Sequence, residues 1–253
     1  RIPDITLIPG VEWTHYRGHA NFLGLEKPYD EPFFTNTDEA MQARFQSAHD
    51  RGALIVINHP QDESCGFQFD IMKLPFDAIE IWNGPMRESN LRAVGLWHQM
   101  LAAGRKVPAV GGSDFHRENL FQILGGPCMG VYAGSDAPGD ILTALRNGQS
   151  FITFAPNGPT VDFSAGSATL GGTTEWQIGL TAKVSAKGLK AGDVIRLVGA
   201  AEQIDLFQAP SDGEAELTAP VPGPGFLRVE IYRTFLPGVP PLPALISNPV
   251  YFD

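Results

Sequence analysis

The chain has 253 residues, which is enough for one large domain or two smaller ones. Its 28 acidic and 18 basic residues give a formal net charge of −10, which argues against general nucleic-acid binding because that binding depends on clustered lysine and arginine. No stretch of about 18 consecutive apolar residues occurs, so we expect no membrane-spanning helix. The two cysteines are too few for a disulfide framework, and they are interpreted as two buried thiols or one pair.

Predicted strands and helices alternate over residues 1–155. Apolar runs that end in polar residues or glycine predict strands over 5–12, 18–25, 53–57, 77–82, 107–110 and 150–154. Apolar residues that recur with the period of a helix predict helices over 38–51, 87–103 and 137–147. This alternation predicts an α/β domain with parallel strands, in which ligands bind at the carboxyl ends of the strands.

Helix starts are predicted from capping residues. Thr37 is the expected N-cap of the first helix, and Met41, Phe45 and Ala48 would form its apolar face. Asp136 is the expected N-cap of the third helix.

The composition changes after residue 155. Residues 156–253 contain no convincing helix pattern, and alternating apolar and polar residues are separated by clusters of glycine and proline. This pattern is typical of a small antiparallel β-sandwich, so we predict one domain over 1–155 and a second over 156–253.

Polar residues follow several of the predicted strands. Asp114 and His116 come after the run 107–110, and in extended backbone two side chains at i and i+2 point the same way. Glu12, His59 and Asn83 lie at or just after other strand ends. Carboxylate and imidazole groups are ligands for divalent metals, so we expect a metal site at this edge. The alternative is that Asp114 caps a turn and His116 is an ordinary surface histidine.

Four short motifs occur in a fixed order. They are Gly10-Val11-Glu12, Gly18-His19-Ala20-Asn21, Asn58-His59-Pro60 and Ser113-Asp114-Phe115-His116. This series resembles the PHP superfamily of metal-dependent hydrolases (polymerase and histidinol phosphatase). Within it the chain is most similar to the CehA/McbA-type metallohydrolases, whose pattern the segments 80–84 and 247–249 also match.

The resemblance implies a fold and a set of metal ligands. PHP domains form a distorted (β/α)7 barrel with two or three metal ions, so residues 1–155 would be part of such a barrel. Glu12 would bridge two ions, and His19 and His59 would complete one of their sites. Asp114 would belong to the other site, and His116 would bind a third ion. Glu12 and Asp114 are then the expected catalytic residues, and zinc, manganese or iron would suit the mixed ligands.

One part of the family pattern is missing. The family opens with a His-x-His strand, whereas the six histidines here, at 15, 19, 49, 59, 98 and 116, include no such pair. The chain is interpreted either as trimmed or as a naturally short form. The site of Glu12, His19 and His59 could survive this loss, while the Asp114 and His116 sites lose their partners.

Three further residues are candidates for substrate binding. Asn83 is expected to line the pocket, and the alternative is a simple turn with Gly84. Arg87 and Arg117 could bind a substrate anion because arginine suits phosphate and carboxylate, although both could be ordinary surface residues. Cys65 has no evident partner that would make it a nucleophile, so we expect no catalytic role for it.

The resemblance implies a metal-dependent hydrolase, and the first expectation is a phosphoesterase that uses a metal-activated hydroxide on a small-molecule ester. Hydrolysis of a carbamate or carboxylic ester by the same fold is one alternative. A catalytically lapsed module that binds metal or carbohydrate is the other, and the absence of His-x-His favours it.

Overall fold

The computed structural model describes residues 5–27, 30, 35–118 and 122–253. Its first sheet has five strands, and their order in space is their order in the chain. They are β1 (Gly10–His15), β2 (Gly18–Leu23), β3 (Leu54–Asn58), β4 (Ala78–Asn83) and β5 (Ala109–Gly112). All five overlap predicted strands, although β1 begins later than the predicted span 5–12 and continues to His15.

The prediction of parallel strands is right for β3, β4 and β5 and wrong for the first two strands. β1 and β2 form an antiparallel hairpin, and β2 is also antiparallel to β3. Only two residues join β1 to β2, and so short a connection forces antiparallel pairing. The (β/α)7 barrel that the resemblance implies is not formed by the described residues, which instead build an open sheet with β1 and β5 at its edges.

Three helices flank these strands: α1 (Asp38–Asp50), α2 (Glu88–Ala102) and α3 (Pro138–Arg146). Thr37 is the N-cap of α1, as predicted, and its hydroxyl accepts a hydrogen bond from the backbone N–H of Ala40 at 3.1 Å. The predicted N-cap at Asp136 is wrong, because Ala137 precedes Pro138 at the helix start and offers no side-chain cap. No helix in the described part of the chain is long and apolar enough to cross a membrane.

Two mainly antiparallel sheets form the rest of the molecule. Their strands are β6 (Cys128–Val131), β7 (Ser150–Thr153), β8 (Thr160–Ala165), β9 (Ala168–Thr169), β10 (Thr173–Thr174), β11 (Thr181–Leu189), β12 (Val194–Gly199), β13 (Gln203–Gln208), β14 (Gly213–Pro220), β15 (Gly225–Arg233), β16 (Leu242–Ser247) and β17 (Val250–Phe252). The larger sheet follows the order β10-β17-β15-β16-β7-β6, with β12 and β13 joined to β15. The smaller sheet has the order β14-β11-β8-β9.

The two sheets pack face to face as the predicted sandwich. Their shared core includes Val161 and Val184 from the smaller sheet and Ile195, Val229 and Leu245 from the larger one. Strand β7 overlaps the predicted strand 150–154, but it pairs with β16 rather than joining the α/β sheet. Strand pairing therefore crosses residue 155, and the division into domains at that position stays a prediction.

A second core lies between the five-stranded sheet and its helices. Met41, Phe45 and Ala48 of α1 are buried in it, as the helical pattern predicted. Trp97 of α2 is fully buried, and its indole N–H donates to the Val107 carbonyl at 2.8 Å. This packing fixes the helices against the strands and leaves the carboxyl ends of β3, β4 and β5 at one edge of the sheet.

Candidate metal centre

The hairpin of β1 and β2 brings the first two candidate ligands together. Glu12 pairs with Asn21 across the hairpin, so His19 is its diagonal neighbour on the same face. His19 Nδ1 lies 3.2 Å from Glu12 Oε1. The Asn58 side-chain amide, from the end of β3, donates to the same Glu12 oxygen at 3.2 Å and to Asn21 Oδ1 at 3.0 Å. Glu12 is therefore held in place by two strands besides its own.

His59 follows β3 in a strained conformation. Its φ is +28°, in a region that non-glycine residues rarely occupy, and its side chain is buried. Its ring lies 5.0 Å from the His19 ring, centroid to centroid, in an edge-to-face arrangement. Such strain persists only where surrounding contacts enforce it, and it is concentrated at functional sites.

Cys65 is the third group of this cluster. Its Sγ lies 3.6 Å from His59 Nδ1, and one potential ligand atom from each of His19, His59 and Cys65 lies within 4.8 Å of the others. No sequence pattern indicated Cys65 as a ligand, because its approach to His59 depends on the conformation of the loop between them.

Glu80 supports His59 from β4. One carboxylate oxygen accepts a hydrogen bond from the His59 backbone N–H at 2.7 Å, and the Asn83 amide lies 3.3 Å from the same oxygen. Burial raises the pKa of Glu80 to about 8, against the opposing effect of these hydrogen bonds. Sequence reasoning missed Glu80, although a carboxylate inside the otherwise apolar run 78–82 is a usable signal.

The electrostatics of the cluster follow from its burial and mixed charges. Burial, followed by the charge of His19, lowers the pKa of His59, while Asp114, Asp62 and Glu12 act in the opposite direction. A histidine that stays neutral keeps a lone pair for a metal. Burial also raises the pKa of the Cys65 thiol.

Asp114 and His116 lie at the end of β5, which stops at Gly112. Asp114 has a φ of +45°, so the extended geometry that suggested a shared direction for the two side chains does not apply. His116 Nδ1 nevertheless lies 2.7 Å from the Asp114 carbonyl and 3.5 Å from its carboxylate. The His116 side chain is 74% exposed, and its role as a ligand stays a prediction.

The three predicted substrate residues have different surroundings. Asn83 is buried, and its backbone N–H donates to the Asn90 side chain at 3.1 Å. Arg87 pairs with Asp62 at 2.9 Å and donates to Asn83 Oδ1 at 3.4 Å, so it borders the cluster. Arg117 lies in the exposed segment after His116. Their roles in substrate binding stay predictions.

The residues present fit a divalent ion. Two imidazoles and a thiol converge, a carboxylate lies 3.2 Å from one imidazole, and the side-chain oxygen of Asn58 is buried without a hydrogen-bond partner among the described residues. Buried polar atoms without partners are rare and indicate an absent water or ion. A cavity of about 670 Å³ lies elsewhere, in the sandwich, and its lining includes Tyr132 and Lys183 but no residue of this cluster.

Comparisons with known proteins gave one similarity. No protein-family model matches the chain, and no curated protein matches it. Among solved structures, the chain is similar to a two-domain protein from Bacteroides vulgatus ATCC 8482 that contains a predicted PHP-like metal-dependent phosphoesterase. The two are 16% identical with a TM-score of 0.48, over 96% of this chain and 75% of that one. Membership of the PHP superfamily and of its CehA/McbA branch therefore stays a prediction.

Proposed function

We propose that the chain is a metal-dependent hydrolase of phosphoesters. The observation that carries the proposal is the convergence of His19 and His59 beside Glu12, with His59 held at positive φ by the hydrogen bond to Glu80. A strained, buried imidazole next to a second imidazole and a carboxylate has little structural purpose without a ligand.

His19 and His59 would hold one divalent ion with the Glu12 carboxylate beside it, and Asp114 would be a ligand of a second ion. When bound, such an ion supplies Lewis acidity and an activated water at neutral pH. Glu80 fixes the His59 backbone, and Asn58 fixes Glu12, so the protein orients the ligands in advance. Arg87 would bind an anionic oxygen of the substrate with the N–H groups that Asp62 and Asn83 leave free.

The metal claim is tested on purified full chain by plasma mass spectrometry after dialysis without chelator. We expect close to one equivalent of metal or more in the wild type and a clear loss in His59→Gln. His49→Gln is the matched control, because His49 lies on α1 with its side chain 52% exposed, and it should keep its metal. Wild-type protein without metal, even after reloading, would contradict the proposal.

The reaction class is tested with chromogenic substrates. Phosphomonoesters and phosphodiesters should be hydrolysed by the metal-loaded chain, and Glu12→Gln should abolish turnover. Hydrolysis of carboxylic or carbamic esters alone would assign the same site to the alternative ester class. Metal binding without turnover of any ester would instead support the lapsed module.

A further inference from the structure

The loop between His59 and Phe67 folds back on its own start. The backbone N–H of Asp62 donates to the His59 carbonyl at 3.0 Å, and that of Phe67 donates to the Pro60 carbonyl at 3.0 Å. Between these two closures the chain passes through Cys65. The loop therefore brings Cys65 back to the side chain of His59, the residue at the start of the loop, and Cys65 Sγ lies 3.6 Å from His59 Nδ1.

Asp62 and Gly66 fix the position of the thiol. Asp62 Oδ1 accepts hydrogen bonds from the Ser64 backbone N–H at 2.9 Å, the Ser64 hydroxyl at 2.8 Å and the Cys65 backbone N–H at 3.3 Å. The other Asp62 oxygen is held by Arg87. Gly66 has no room for a side chain, because a Cβ there would lie 2.3 Å from the Asp62 carbonyl.

We propose that Cys65 sulfur is the third protein ligand of the ion held by His19 and His59, and that it makes the site select zinc over manganese. The inference rests on the proposed metal centre and names the metal that it takes. His19, His59 and Cys65 already present one donor atom each within 4.8 Å of one another, which is a compact three-donor set. A set of two nitrogens and one sulfur leaves a fourth tetrahedral position open for water or substrate.

The sulfur decides the metal because thiolates favour borderline and soft ions. Manganese and magnesium prefer oxygen donors, and a site of two imidazoles with carboxylates alone would accept manganese, iron or zinc. On binding, the thiol releases its proton to solvent and the sulfur forms the bond to the metal. Glu12, beside His19, supplies further negative charge to the ion.

Cobalt substitution tests the sulfur ligand directly. Metal-stripped full chain is titrated with Co²⁺, and a bound thiolate gives an intense sulfur-to-cobalt band in the near ultraviolet. We expect the band in the wild type and in Cys128→Ser, which removes the second partly buried cysteine and is the matched control. Cys65→Ser should lose the band while retaining the weaker visible bands of cobalt bound to histidine. Cys65→Ala is a second variant in case the serine form does not fold.

Competition between metals tests the selectivity. Cys65→Ser should lower zinc affinity by more than about tenfold and manganese affinity much less. Cys65→Asp, which replaces sulfur by a hard oxygen donor, should reduce the preference for zinc over manganese further. If the sulfur-to-cobalt band or the preference for zinc over manganese survives in Cys65→Ser, the inference is overturned. The 3.6 Å contact between Cys65 and His59 would then be only a hydrogen bond. Wild-type chain that binds no cobalt would overturn the proposed metal centre as well, so the two failures are distinguishable.

Discussion

The five-stranded sheet and the sandwich treat buried carboxylates differently. In the sandwich, Glu230 is paired with the buried Arg228 at 2.7 Å and also accepts from the Tyr232 hydroxyl at 2.9 Å. At the candidate site, Glu80 accepts from the His59 backbone and from Asn83, and no cation pairs with it among the described residues. The sandwich carboxylate is neutralised by an arginine, whereas burial without such a partner raises the pKa of Glu80 to about 8, so its charged form is favoured only when a cation lies nearby.

The same contrast holds for the backbone. In the part of the chain that the structure describes, His59 and Asp114 are the non-glycine residues with positive φ, and both lie at the candidate site. In the sandwich, positive φ falls on glycines such as Gly171 and Gly192, where it costs no steric strain. The sandwich therefore has its positive φ values on glycines, without strain. At the carboxyl end of the five-stranded sheet, positive φ values fall on His59 and Asp114, whose side chains can bind a metal.

The largest expected effect is on the free energy of unfolding, and it is seen when the same Glu→Gln substitution is made in each region. Glu230→Gln leaves the Arg228 charge buried without a counter-charge, so we expect a loss of about 3 kcal/mol in the free energy of unfolding. Glu80→Gln should change it by less than about 1 kcal/mol in metal-free protein, because the amide oxygen still accepts from the His59 N–H and no charge loses its partner. Urea unfolding with chelator present measures both.

Glu80→Ala is the control for this pair, since it leaves the buried His59 N–H without an acceptor and should cost about 1 to 3 kcal/mol. Equal losses in Glu230→Gln and Glu80→Gln would mean that Glu80 is also a paired structural charge, and the contrast between the regions would fail.

Local pattern predicted where the strands lie, because burial on both faces makes apolar runs such as those of β3 and β4. It did not predict how they pair. The antiparallel pairing of β1 with β2 follows from the two-residue turn between them. Strand β7 pairs with β16, which lies almost a hundred residues further along the chain. The pairing of β7 with β16 is long-range, so no single window of sequence contains both partners. The β1–β2 hairpin is local, and its pairing was missed because β1 continues to His15.

The site was predictable to the extent that its residues carry strand-end motifs. Glu12 and His59 could be named because they lie at predicted strand ends, and His19 could be named because its motif is part of the family resemblance. Cys65 could not be named, because its place depends on the turn that Asp62 and Gly66 impose. A similar limit applies to Glu80. The sequence shows a carboxylate at this position, but it does not show that the carboxylate accepts a hydrogen bond from the His59 backbone N–H.

A smaller effect is expected from adding a methyl group to a sandwich glycine. Gly171 has a φ of +77°, and a Cβ there would lie 1.8 Å from the Asn147 carbonyl oxygen. Gly171→Ala should therefore cost more than about 2 kcal/mol in urea unfolding, from backbone strain and the clash together. Gly192→Ala is the matched control, because its φ is +90° and no atom lies within 4 Å of the added Cβ. It should cost only about 1 kcal/mol. Equal costs would show that the contact with Asn147 relaxes freely.

The smallest effect tests whether the strain at Asp114 is real. Asp114→Gly and Asp114→Ala remove the same carboxylate, but only alanine keeps a Cβ at a φ of +45°. In metal-free protein the glycine variant should be more stable than the alanine variant by about 1 kcal/mol, as measured by urea unfolding. Both should lower metal content to the same extent, because the proposed ligand is missing from each. If alanine is as stable as glycine, the backbone at Asp114 is not strained, and the case for a ligand there would rest on its charge alone.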